Sequence, residues 1–213
     1  MHAVLELNHE KASKCSCILI QFPENLDEME KTAKGSSKKV IQNAIELLDN
    51  KNLPRNISEI SKERIRLIGA KYGNEWGCDI GYRVLKIDSS NLADVYYTPD
   101  ATRQDQLDLF THNIKPDRTP EDLLFQVLLD WGVDLSLPIR KETLRGKTVF
   151  FVDENALIAC FDDDVNEELV KELAGLKPLR AVFRDSGFAS DAVKINVEQI
   201  FKQISPGTEV RTI

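Results

Sequence analysis

The stretch KTVFFVDENALIACF, residues 147–161, decides the fold of the second half of the chain. Two β-rich apolar runs, KTVFFV and ALIACF, flank the polar Asp153–Asn155, which is the pattern of a hairpin. Downstream, DVNEELVKELAGL has helical periodicity, with Asp164 or Asn166 placed to cap it and Gly175 near its stop. LRAVFR then reads as a strand, SDAVKINVEQIFKQI as a helix starting at Ser190, and GTEVRTI as a final short strand. Upstream, TPEDLLFQVLLDWG puts Thr119 at the N-cap and Pro120 at the first helical position. Acidic residues fill its first turn and Gly132 ends it. Residues 119–213 therefore read as a small α/β domain of ββαβαβ order behind a leading helix.

Residues 91–118 lack strong periodicity and read as a connector, although ATRQDQLDLFTHNI has a few apolar anchors at helical spacing. Residues 1–90 read as helix–strand–helix–helix–strand, the tail of a doubly wound sheet. Val4, Leu5 and Leu7 give the opening segment a short apolar face. CILIQF (17–22) is a continuous apolar run, as in a strand covered on both faces, and Pro23 ends it. KKVIQNAIELLDN (38–50) is a helix. SEISKERIRLIGAKYG is another, with Ser58 as its expected cap and Gly73 as its expected stop. GYRVLKIDSSN (81–91) places Tyr82, Val84 and Leu85 among basic residues, a strand running into a polar turn.

Composition is that of an ordinary globular protein, with 42% apolar and 30% charged residues over 213 positions. No apolar run approaches the roughly 20 residues that span a bilayer, and the N-terminus lacks a secretory pattern. Cys15, Cys17, Cys78 and Cys160 fit no zinc spacing and read as reduced thiols of a cytoplasmic protein. The net charge of −7 is uneven: residues 117–172 carry 14 acidic and 6 basic side chains. Phosphate contacts depend on Lys and Arg, so this part is poorly suited to gripping DNA and better suited to protein contact.

No glycine-rich nucleotide loop occurs in the sequence. Ser186-Gly187 lacks the first glycine of a nucleophile elbow. His2 and His9 stand seven residues apart, about two helical turns, and read as surface histidines rather than metal ligands. FDDDVNEE (161–168) lacks the glycine and ligand order of a calcium loop and reads as helix capping. Arg184, Asp185 and Ser186 stand where a strand gives way to a helix. They fit either a site or a structural Arg–Asp pair. Gln21 and Glu24 lie at the end of the run 17–22, where dinucleotide-binding sheets hold a ribose. Glu24 equally fits the start of a solvated loop.

HAVLELN…CILIQFPE, NISEISKERIRLIG, DIGYRVLKIDSSN, DLLFQVLLDWGVDLSLPI, ALIACFDD and the final LKPLRAVFRDSGFASDAVKINVEQIFKQISPGTEVRTI together resemble one family. It is the modification (Mod) subunit of type III restriction–modification systems, an adenine-specific DNA methyltransferase. The resemblance covers nearly the whole chain and is most specific over 119–213. It implies a Rossmann-like catalytic sheet, S-adenosylmethionine as methyl donor, N6-methylation of adenine in DNA, a Mod homodimer and association with a Res helicase–nuclease subunit. In such subunits the Asp-Pro-Pro-Tyr motif comes first and the F-x-G-S-G cofactor loop comes late, directly before a helix like residues 2–9. This chain has neither motif, so it resembles the C-terminal portion of a Mod subunit, beginning just after the cofactor loop. Only the ribose-facing position carries over, to Gln21 or Glu24, and the resemblance does not choose between them. It implies weak or no cofactor binding and no catalysis by this chain alone, and a role in subunit assembly. The alternative is a non-catalytic DNA-contacting or protein-interaction module, with Lys38, Lys39, Lys62, Arg64 and Arg66 as its basic face.

Overall fold

The two halves of the chain build their structure differently: helices alone in the first, a covered sheet in the second. The computed structural model describes residues 2–15, 17–77, 79–93 and 113–213. Among them are seven α-helices and one five-stranded mixed sheet, so the chain is a mixed α/β protein. It divides into two compact units, Met1–Lys86 and Ile87–Ile213.

The first unit contains α1 (His2–Lys11), α2 (Leu26–Thr32), α3 (Gly35–Asp49) and α4 (Ile57–Trp76). Asn25 caps α2 and Asn56 caps α4 through their side-chain oxygens, and the two residues also bridge each other. Capping thus falls to Asn56 rather than the expected Ser58. An Asx side chain one residue before the helix reaches the orphan N–H of Glu59 at 2.9 Å. The helix also runs past Gly73 to a left-handed stop at Gly77, because Gly73 serves packing instead: a Cβ there would meet Ile80 at 2.7 Å. Arg55 joins the ends of these helices by pairing with Asp27 at 3.0 Å and Asp49 at 2.7 Å.

The strands expected at 17–22 and 81–91 do not form among the described residues. Ile18 is 89% exposed and Ile20 91%, and Leu19, Phe22, Tyr82, Val84 and Leu85 are exposed as well. A β-rich apolar run becomes a strand only beside a ladder partner, and no other segment among the described residues of this unit supplies one.

The second unit opens with a bridge between Leu92 and Ile114. The stretch 101–114, read as connector with a few apolar anchors at helical spacing, lies largely outside the described residues. Helix α5 (Pro120–Asp130) follows, closed by the expected Thr119 capping box with Asp122. The sheet comprises β1 (Ile139–Leu144), β2 (Lys147–Val152), β3 (Leu157–Cys160), β4 (Arg180–Phe183) and β5 (Glu209–Thr212), in that spatial order. β1, β2 and β3 pair antiparallel, while β3, β4 and β5 pair parallel. Between them lie α6 (Glu167–Gly175), a short 3-10 turn (Asp185–Gly187) and α7 (Asp191–Ile204). Asn166 and Ser190 cap α6 and α7, as the sequence suggests.

The alternation along β2 sorts the core into two layers. Val149 and Phe151 pack with Leu169, Leu173, Ile200 and Phe201 of α6 and α7. Phe150 and Val152 pack with Leu124, Val127 and Leu128 of α5 on the opposite face. All four residues of β3 are buried, as befits a central strand covered on both faces. β1 is the strand the sequence hides. Its two-residue turn runs through Arg145 and Gly146, both at positive φ (50° and 78°), where Gly146 has no Cβ to resist. Its charges mask the pattern: Arg140 lies 4.4 Å from the Phe151 ring centre and Lys141 5.3 Å from that of Phe150.

Candidate functional site

β3, β4 and β5 end together along one side of the second unit, and open α/β sheets place ligands beside such carboxyl ends. The chain leaves β3 through Phe161, Asp162, Asp163 and Asp164, and leaves β4 through Arg184 into the turn Asp185–Gly187. The two exits are laced to each other by backbone bonds. Val165 N–H donates to Gly187 O at 2.8 Å, and Ala189 N–H to Val165 O at 3.0 Å. Asp185 N–H reaches Ile213 O beyond β5 at 2.8 Å. Gly187 is buried, and a Cβ there would stand 2.7 Å from the carbonyl oxygen of Asp162, so the close approach of the loops requires glycine.

Side chains complete the lacing. Asp162 accepts from Thr148 N–H at 2.6 Å, tying the β3 exit to β2. Arg184 pairs with Asp163 at 3.4 Å, and Lys194 of α7 pairs with Asp185 at 2.7 Å. The sequence offered a structural Arg–Asp pair as one reading of Arg184 and Asp185. Here each residue takes a partner from elsewhere in the chain. Arg184 Nε and Ser186 Oγ are the polar atoms left buried without a partner at this edge. Lys194 carries no signal in the sequence beyond its place one turn into a helix that follows the strand exit.

The chemistry of this edge is narrow. Ser186 Oγ is buried and makes no hydrogen bond to a base among the described residues. Burial pushes the Cys160 thiol up to about 11, so it stays protonated and unreactive at neutral pH. No group of His, Cys, Asp and Glu suited to a metal ion occurs among the described residues. Both crossovers set their helices on one face, and among the described strands the order does not reverse.

No protein family matches the chain, and no curated protein matches it either.

The remaining sequence-singled residues lie in the first unit. Gln21 and Glu24 are exposed outside any helix or strand. Gln21 donates to the neighbouring Phe22 carbonyl at 3.1 Å, and the Glu24 carbonyl accepts from Ile57 N–H at 3.1 Å. His2 packs edge-on to Tyr72 at 4.8 Å, and His9 stacks on Trp76 at 5.4 Å, so α1 is fixed to α4 by rings. Of the basic face, Lys62 pairs with Glu59 and Arg66 with Glu63. No helix among the described residues is long and apolar enough to cross a membrane.

Proposed function

We propose that this chain is the C-terminal portion of a type III restriction–modification Mod subunit, the adenine-specific DNA methyltransferase. It is inactive by itself and serves assembly of the complete subunit with a second Mod copy and with Res. One observation carries this reading beyond the sequence resemblance. The runs 17–22 and 80–87 are rich in β-forming apolar residues, yet they lie exposed, with no strand to pair with among the described residues. Exposed apolar stretches of this kind mark surfaces meant to be covered. A Rossmann-like catalytic sheet, completed by strands that carry the Asp-Pro-Pro-Tyr and F-x-G-S-G motifs, would cover both. Either Gln21 or Glu24 would then face the ribose of S-adenosylmethionine. The acidic second unit suits protein contact, and two of the five residues of the basic face already hold carboxylate partners.

The test is complementation. Purified chain, incubated with labelled S-adenosylmethionine and DNA of mixed sequence, transfers no methyl group. Adding an N-terminal Mod fragment that bears both motifs yields a complex and adenine methylation. Methylation by the chain alone, or neither complex nor methylation with the fragment, overturns the proposal.

A further inference from the structure

Two helices are too few to cover five strands. Packed helices stand about 10 Å apart and paired strands about 4.8 Å, so two helices shelter roughly four strands. α6 and α7 share one face of the sheet, and each has a groove on its outer side. The groove beside α7, of about 580 Å³, has mixed walls, with Asp191 and Glu198 against Lys194 and Arg211. The groove beside α6, of about 450 Å³, is biased. Among the described residues, Leu144 of β1, Phe151 of β2 and Leu176 at the end of α6 form its apolar part, and Glu142, Glu154 and Glu172 stand around them. Leu176 is 48% exposed there.

One cation already sits in this groove. The Arg140 guanidinium lies 4.4 Å from the Phe151 ring centre and pairs with Glu142 and, at 3.9 Å, with Glu154. The groove thus displays how it holds a positive side chain, over an aromatic ring and between two carboxylates. We propose that it seats a basic amphipathic helix of another protein, which lies alongside α6 as the third helix of the layer. The apolar stripe of that helix rests on Leu144 and Leu176, and its lysines and arginines reach Glu142, Glu154 and Glu172. Arg140 stands in for one of those cations and swings off Phe151 when the helix seats.

Charge selects the occupant. An acidic helix meets three glutamates and is repelled, and a helix without cations buries those carboxylates unpaired. Arg145, the next cation along β1, does not offset them, since it is already paired with Glu168 and Glu172. The groove beside α7, with cations and carboxylates in equal number, makes no such choice. This inference stands on the second unit alone. Its test contains no Mod or Res fragment, so it holds or fails independently of the family proposed above.

Fluorescence anisotropy tests it, with the full chain titrated into a labelled peptide at low salt. The peptide has about 18 residues, lysine and leucine only, with the leucines spaced i, i+3, i+4 and i+7. The expected result is saturable binding, which the same peptide with glutamate for lysine does not show. Glu154→Lys with Glu172→Lys weakens it about tenfold or more, and Leu176→Ser about threefold or more. Arg140→Ala frees two carboxylates and the Phe151 ring and tightens it about threefold or more. Away from the groove, Glu198→Lys with Asp130→Lys reverses as much charge, and Lys202→Ala removes as much. Both leave binding within about twofold. Circular dichroism checks that each variant keeps its fold. No binding of the lysine peptide overturns the proposal. So does binding that the groove variants leave unchanged or the distant variants shift equally, as a peptide lodged elsewhere on the acidic surface or on the exposed runs of the first unit would show.

Discussion

Glu63 holds a charge inside the helical unit, where its side chain is only 2% exposed and pairs with both Lys51 and Arg66. The hydrogen bond from Lys51, followed by the charges of Arg66 and Lys51, keeps the carboxyl below the usual carboxylate range against the opposing effect of burial. A carboxyl depressed on folding contributes stability that is fully present above its unfolded value, about 4.3, and is lost as pH falls through the lower folded value. Glu63→Gln should therefore lower stability at neutral pH and flatten the acid loss of the first unit. The two tryptophans fall one in each unit, so urea titrations of Trp131→Phe protein, read by Trp76 fluorescence from pH 7 down to about 3, report on the first unit alone. Gly187 acts at the same scale in the second unit. Gly187→Ala forces a Cβ against the Asp162 carbonyl and should cost about 1–3 kcal/mol. The Trp131 fluorescence midpoint in urea measures it. A midpoint equal to wild type would mean that the loops part without cost.

Elements differ in how far the sequence discloses them, and the reasons are physical. β2 and β3 are legible because both faces are buried, which leaves unbroken apolar runs. β1 is not, because its arginine and lysine stems lie over phenylalanine rings and its letters look like a charged loop. The run 17–22 misleads in the opposite sense: its composition is that of a buried strand, but composition cannot supply a neighbour. At the strand-end edge, Arg184, Asp185 and Ser186 stand out by position. Their partners Asp163 and Lys194 do not, since pairing across two crossovers is a property of the folded sheet. The exposed runs lead to a direct expectation. Brief chymotrypsin treatment should cut after Leu19, Tyr82 and Leu85 well before Phe150, Phe151 or Phe183, as read by mass spectrometry of the fragments. Early cuts inside β2 or β4 would contradict the burial described for the sheet.

At the scale of the whole molecule, the two units rest on different kinds of cohesion. The second has a covered sheet with aromatic and aliphatic layers on both faces. The first relies on caps, ion pairs and the rings of α1 and α4, and it leaves β-type apolar surface uncovered. If an N-terminal Mod fragment completes the first unit, its addition should suppress the cuts at Leu19, Tyr82 and Leu85 and leave the second unit's digestion unchanged.

The sheet's strand order has a consequence for how the second unit is made. Each strand after β1 lies beside the strand that precedes it in the chain. During synthesis, which runs from the N-terminus at about 5–20 residues per second, every new strand emerges to find its neighbour already in place. No strand has to wait for a later segment to be slotted between it and its partner, the step that makes long-range pairing slow. The sheet therefore grows outward in one direction, and β5, the last of the five strands to emerge, is added at its far edge.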